Sequence, residues 1–229
     1  MSKEAEKTWN IWTDEEKNII LNGKGIDIGC GNSPIHPDCC KFDVEDGDAN
    51  EITKYINEKF DYVFSSHCLE HMFDPYAALK EWWGLVRSGG TMIILVPDED
   101  LYEQGMFPSQ FNTDHKWTFT ISKRKSWSSK SVNVLDLINS LDDVCSSKVE
   151  LQDFNYDRSL LCFRKLTFFG RCLRSFKYRI VNKVNLEKYF PRLAKKLDGF
   201  FSHYFPIDQT CGNVLAQIQI ILKKSNKNT

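Results

Sequence analysis

Gly25-Ile-Asp-Ile-Gly-Cys-Gly-Asn-Ser-Pro34 decides how this chain is read. Gly25–Ile28 has the look of a buried strand carrying an acid, Asp27, and it runs into two glycines, Gly29 and Gly31. Backbone without side chains at a strand end lets a nucleoside-bearing ligand come close, as glycines do in dinucleotide-binding turns. Alone, a Gly-x-Gly also suits any tight strand-to-loop turn. The weight falls on the segments downstream of it.

Three more pieces arrive in order. Lys41-Phe-Asp-Val44 reads as a second short strand bearing Asp43, followed by Gly47-Asp48-Ala49. Phe60-Asp-Tyr-Val-Phe-Ser-Ser-His67 is an apolar run that breaks into polar residues, with Leu69-Glu70-His71 close behind. Arg87-Ser-Gly-Gly90 then closes a helix, and Thr91-Met-Ile-Ile-Leu-Val-Pro97 is a buried strand. This order resembles the class I S-adenosylmethionine-dependent methyltransferases, closely over roughly Gly25 to Val96. The run from Val96 to Thr120, with Asp114-His-Lys-Trp117 inside it, is similar to a bacterial subgroup associated with surface-polysaccharide and nucleotide-sugar pathways. The resemblance implies a Rossmann-like α/β fold, a mostly parallel central sheet with helices on both faces, and S-adenosyl-L-methionine as cofactor.

Composition agrees with that class. The chain has 229 residues, enough for a full core, and its net charge of −1 and 41% hydrophobic content fit a globular protein. The N-terminus has no apolar stretch of signal-peptide type, and no run reaches the length of a spanning helix. A cytoplasmic enzyme is expected, with peripheral contact at the inner membrane surface left open. Eight cysteines are scattered without a CxxC pair, so reduced thiols are expected and no structural zinc.

One domain is expected over 1–229. It divides into an N-terminal helical segment (1–23), a cofactor-binding core (24–157), a basic helical insertion (158–210) and a last strand with tail (211–229). Thr13-Asp-Glu-Glu16 has capping-box chemistry and predicts a helix ending at Asn22-Gly23. Pro34 and Pro37 leave no room for a full helix after the glycine motif, a departure from the family pattern that bears on the assignment of Asp43 and Asp48. Asp74-Pro75 predicts a helix start and a helix over Tyr76–Arg87. A second helix is expected over Val132–Leu141, with final strands at Lys148–Phe154 and Val214–Leu222 and a solvated tail after them.

The resemblance and the chemistry of methyl transfer together select candidate residues. The methyl group arrives activated, so the protein chiefly positions donor and acceptor. Asp27 would organise the donor's ammonium, Gly29, Cys30 and Gly31 would pass its ribose and methionyl portion, and Asp43 would accept from the ribose hydroxyls. Asp48 and the Ala49 amide would read the adenine edge; the plainer account of Asp43 and Asp48 is turn formation. Ser65, Ser66, His67 and His71 complete the cofactor side, His71 packed near the cofactor at a helix start. An alcohol acceptor needs a base near neutrality, and His115 is the first candidate, with Asp114 beside it, then His67. Asp98 and Asp100 would bind acceptor hydroxyls or, less simply, Mg²⁺; no metal is counted in the site. Lys116 would touch the acceptor, and Tyr102 and Trp117 would stack on a sugar or merely pack.

The expected reaction is O-methylation of a carbohydrate or nucleotide-linked sugar. Other acceptors (a nitrogen, a phosphate-type oxygen or nucleic acid) and a catalytically silent partner subunit stay open. Residues 158–196 carry 12 Lys/Arg and one acid, Glu187, with Leu166, Phe169, Leu173, Phe176, Ile180 and Val184 stepping by three and four. Such a basic face would hold a phosphate-bearing acceptor, touch a membrane surface or form a homodimer contact; RNA binding is not expected.

Overall fold

The computed structural model describes residues 3–163, 167–184, 189–210 and 212–226. Two helices open the chain, α1 (Lys3–Ile11) and α2 (Asp14–Leu21). Thr13 caps α2 through the reciprocal capping box with Glu16 that its sequence predicted. The central sheet is built from β1 (Gly25–Ile28), β2 (Cys40–Phe42), β3 (Phe60–Ser66), β4 (Val86–Pro97), β7 (Val144–Gln152) and β8 (Gln217–Lys224). Its order is β2-β1-β3-β4-β8-β7. β2, β1, β3 and β4 run parallel, while β8 pairs antiparallel with both β4 and β7. The chain leaves β1 toward β2 on one side and returns to β3 on the other. That reversal makes the carboxyl ends of β1 and β3 the crevice where open α/β sheets bind ligands.

The central strands are apolar because both faces are covered. β1 and all of β3 except Asp61 are buried. On one face, helix α3 (Pro75–Leu85) buries Ala78, Leu79, Trp82, Trp83 and Leu85 in the main core. Asp74 starts it by accepting from the amides of Tyr76 and Ala77, with proline at the first helical position. Wholly buried Trp82 also donates its indole N–H to the Ala49 carbonyl, tying α3 to the turn beside the β1 crevice. Truncating it to alanine would cost about 3–5 kcal/mol. On the other face, Trp12 and Ile20 of the N-terminal segment pack with Tyr62, Phe64, Ile93 and Leu95.

Several expected boundaries move. The helix after Pro75 ends at Leu85, and Arg87–Gly90 lies inside β4, with Gly89 at φ 71° in the strand rather than closing the helix. Residues expected to start one helix at Val132 form a short strand, β6 (Ser131–Asn133), paired with β5 (Thr118–Thr120); helix α4 covers only Val134–Asn139. The last strands sit at 144–152 and 217–224, so Lys223 and Lys224 are strand rather than tail. No helix lies between β1 and β2, as Pro34 and Pro37 predicted.

Between β7 and β8 come α5 (Phe168–Val184) and α6 (Pro191–Phe201). Leu173 of α5 packs against a small cluster of Phe201, Phe205 and Ile207, whereas Phe169 and Phe176 are exposed. Of the rest of the expected apolar face, Leu166 and the side chains of Ile180 and Val184 lie outside the described residues, as do Glu187 and Cys211. The other seven cysteines are free. Among the described residues no helix is long and apolar enough to cross a membrane.

Candidate active site

The glycine turn opens one wall of a cavity. Gly29 (φ 80°) and Gly31 (φ 56°) both take left-handed backbone, which a side chain disfavours. A Cβ on Gly29 would stand 2.6 Å from the Cys68 Cβ and Sγ, so the ends of β1 and β3 meet there without room for a methyl group. Beside this contact lies a cavity of about 550 Å³ lined by Gly29, Asp43, Gly47, Asp48, Ala49 and Met72, among others. Its size lies within the range of cofactor sites. The residues present therefore fit an adenosyl group: a side-chain-free turn, two carboxylates and an apolar floor.

Each expected cofactor residue has a definite place. Asp43 Oδ2 accepts from the Gly31 amide at 2.6 Å and Oδ1 from Val44, which locks the glycine turn against β2 while the carboxylate still faces the cavity. Asp48 caps the turn after it by accepting from the Asn50 amide and side chain, and those bonds hold its carboxyl below the usual range. Asp27 is buried, accepting from the Ile35 amide at 2.6 Å, and burial pushes its pKa up to about 7. Cys30 is buried with its thiol on the Gly31 carbonyl, and burial raises its pKa to about 11, so it stays a thiol. Ser65 is buried and donates to the Ile28 carbonyl across β1 and β3, which makes it a structural tie. Ser66 is also buried, and its hydroxyl has no partner.

A second cavity of about 740 Å³ shares Gly29, Asp43, Val44 and Cys68 with the first and continues to His67, His71, Asp114 and Lys116. A third, about 160 Å³, takes His67 and His71 onward to Glu70, Tyr102, Asn112, His115, Thr210 and Glu4 of α1. His67 and His71 thus stand at the junction between the donor side and a polar inner chamber. His67 occupies the left-handed region (φ 52°), an unusual conformation for a non-glycine residue that aims its ring into this junction's wall.

The inner chamber is an imidazole–carboxylate cluster. The amides of Lys116 and Trp117 both donate to the Glu70 carbonyl, which draws the 112–117 loop against the turn after β3. That brings His115 Nε2 to 3.8 Å from Glu70 Oε1, and His67 Nδ1, three residues earlier on the same turn, stands 3.4 Å from it. His115 Nδ1 meets Glu103 Oε1 at 2.7 Å. His67 Nε2 donates to the Gln217 side-chain oxygen at 2.9 Å, because the Gln217 amide nitrogen is spent on Thr8 and Gln152. Burial opposes a charge on His67, but the Glu70 carboxylate outweighs it and the net shift is upward. Glu70 is likewise opposed by burial and held low by His67 first, then His115 and His71.

The geometry revises several expectations. Asp114 does not orient His115: it is exposed, and its carbonyl accepts from His71 Nδ1 at 3.2 Å; Glu103, twelve positions before His115, supplies the orienting carboxylate. Asp98 is turned inward as a cap, accepting from the amides of Asp100 and Leu101, with its pKa raised to about 6 by burial. Asp100 pairs with Lys123 at 2.5 Å and accepts from the Trp127 indole. Neither acid lines the three cavities. Trp117 packs against the core and donates to the Met72 carbonyl, a structural place rather than a stacking platform. Tyr102 does face the chamber, its ring 5.3 Å from that of His115. Lys116 lines the middle cavity and donates to the His71 carbonyl. Sequence reasoning named neither Glu70, Glu103, Glu4 nor Gln217 as site residues; only the adjacency of Glu70 to His71 was visible beforehand.

Residues 32–94 match the family described as "Methyltransferase domain". Among solved structures, the chain is similar to a SAM-dependent methyltransferase from Thermotoga maritima (16% identity, TM-score 0.45, covering 97% of this chain and 88% of that one). It is also similar to a SAM-dependent methyltransferase from Archaeoglobus fulgidus (16%, 0.43, 88% and 86%). A third is phosphoethanolamine N-methyltransferase 2 from Haemonchus contortus with S-adenosyl-L-methionine (13%, 0.46, 96% and 53%). No curated protein matches. The strand order, the glycine turn and the matched segment define a Rossmann-like methyltransferase fold. Residues 32–94 thus carry a methyltransferase domain pattern on that fold, which supports methyl transfer from S-adenosylmethionine as the activity.

Proposed function

We propose that the chain O-methylates a hydroxyl of a carbohydrate or nucleotide-linked sugar. One observation carries this reading: the cavity beside the glycine turn leads, through His67 and His71, to a buried cluster of imidazoles and carboxylates. Bound S-adenosylmethionine supplies an activated methyl group. An amine attacks it with a lone pair it already has, whereas an alcohol must shed a proton, and a cluster of oriented imidazoles answers the second need. His115 is oriented by Glu103 and His67 by Gln217, and the base is drawn from these two. Asn112, Thr210 and Glu4 offer polar partners for further hydroxyls, and Tyr102 offers a ring face. The likeness of the 96–120 run to polysaccharide-associated methyltransferases supports the same acceptor class. In this reading Gly29, Gly31, Asp43, Asp48 and Ala49 hold the adenosyl part, and Asp27 acts from behind the turn.

The surface of α5 and α6 supports a place for the enzyme at an anionic membrane. Phe168, Phe169, Phe176, Phe190 and Phe200 are exposed there with Arg171, Arg179, Arg192 and Lys196. Aromatic rings beside Lys and Arg suit a headgroup layer, while two copies meeting through this face would bring like charges together.

The test of the methyl-transfer reading has two stages. Saturating S-adenosylmethionine should raise the melting temperature, and a panel of nucleotide sugars should then yield S-adenosylhomocysteine. Absence of both a thermal shift and a calorimetric heat would refute the donor site. Turnover on amines alone would refute the acceptor class.

A further inference from the structure

The geometry points to a binding site for one divalent transition-metal ion of the zinc class, formed by Glu70, His71 and His115, with an open position toward the acceptor. This deepens the methyl-transfer reading above and rests on it. One ring nitrogen of each histidine and one Glu70 oxygen lie within 4.8 Å of one another. Metal bonds of about 2.0–2.2 Å set such ligands roughly 3–4 Å apart, so inward shifts of less than about an ångström close the set.

The hydrogen bonds behind these side chains say what they present. The Asp114 carbonyl can only accept, so His71 carries a proton on Nδ1 and offers Nε2. Glu103 accepts from His115 Nδ1 in the same way and leaves Nε2 toward Glu70. A carbonyl or carboxylate behind each imidazole is the usual outer arrangement of metal-binding histidines. Glu70 is 0% exposed, and neither of its oxygens has a hydrogen-bond partner. His67 Nδ1 stands 3.4 Å away without a hydrogen bond to it, its ring proton lying on Nε2 toward Gln217. The chamber therefore gathers a buried carboxylate and two lone pairs with nothing donating between them. A cation completes such a set, and imidazole donors favour zinc-like ions over magnesium or calcium.

Two histidines and a glutamate with a free position match the donor set of catalytic zinc sites. The acceptor hydroxyl oxygen takes that position, which makes its O–H bond easier to break. The proton passes to His67 Nδ1. The oxygen's electron pair forms the new bond to the methyl carbon, and the carbon–sulfur pair leaves with sulfur, turning sulfonium into thioether. His115 then serves as a ligand, and the role of base falls to His67.

The experiment strips the full-length protein with chelator, titrates it with Co²⁺ by visible absorption, and measures Zn²⁺ retained after dialysis. The expected result is one ion per chain, lost at least tenfold in affinity in Glu70→Gln and His115→Gln and weakened about 10–100-fold in Glu103→Gln. A thermal shift with S-adenosylmethionine on the same samples certifies folding and tests the donor site separately. A wild-type protein that responds to the donor but binds neither ion overturns the metal site and leaves the methyltransferase reading intact. Unchanged metal affinity in folded Glu70→Gln and His115→Gln overturns it as well, because the ion would then sit elsewhere, for instance on cysteines.

Discussion

The contact between Gly29 and Cys68 can be tested as a quantity. Alanine at Gly29 must hold φ 80°, which costs about 1–2 kcal/mol for a residue with a Cβ. Its methyl group would also lie 2.6 Å from both the Cβ and Sγ of Cys68, and the Cβ, fixed by its own backbone, cannot swing away. Overpacking of that kind costs about 1–3 kcal/mol, so Gly29→Ala should lose roughly 2–5 kcal/mol in total. Gly31→Ala is the internal control: it shares the left-handed backbone, but nothing lies within 4 Å of its Cβ, so only about 1–2 kcal/mol is at stake. Cys68→Gly removes the obstructing atoms. In the double variant the steric part should be recovered, giving a coupling of about 1–3 kcal/mol by the double-mutant cycle. Urea unfolding gives the stabilities, and calorimetric titration with S-adenosylmethionine should follow the same ranking because Gly29 lines the donor cavity. Equal losses for the two glycine variants, or no coupling with Cys68, would refute the claim that β1 and β3 touch here.

Other consequences attach to single groups. Asp27 has its pKa raised from 3.8 to about 7, so the folded state holds its proton longer than the unfolded one. Its contribution to stability is therefore greatest below about pH 4 and is lost as pH rises toward 7, at about 1.4 kcal/mol per pH unit, and Asp27→Asn should flatten that slope in urea melts between pH 5 and 6.5. An unchanged slope would mean that Asp27 is ionised in the native protein. Glu103→Gln should lower turnover about 10–100-fold while donor affinity, measured by calorimetry, stays within about twofold, since Glu103 touches His115 and not the glycine cavity. Vesicles containing anionic lipid should sediment the wild-type protein at low salt, and Phe168→Ser with Arg171→Glu on α5 should release it; sedimentation unchanged by both would remove α5 from the membrane contact.

Much of the donor side was legible because its signals are local. A left-handed turn favours glycine, a capping box spaces Thr13 from Glu16 by one helical turn, and Asp74-Pro75 is a helix-start pair. Such features act over a few residues and can be read along the chain. Helix and strand limits were less legible, since the buried residues of 86–97 and 131–139 satisfy a helix or a strand until neighbours choose. β4 reaches back to Val86 because Val86 pairs with Phe60 of β3, and Arg87–Gly90 form an irregular stretch before regular pairing with β3 and β8 resumes at Thr91.

The sequence by itself determined the α/β class, the glycine turn and the chemistry available in His67, His71 and His115. Tertiary structure decided which carboxylate each imidazole would meet. Asp114 is adjacent to His115 in the chain, yet the loop turns it outward, while Glu103 and Glu70 arrive from two other segments. The reason is physical: a hydrogen bond from a side chain depends on where packed elements carry it, and β3, β4 and the loop drawn to the Glu70 carbonyl are brought together only by the core between them. Spacing along the chain carries no record of that.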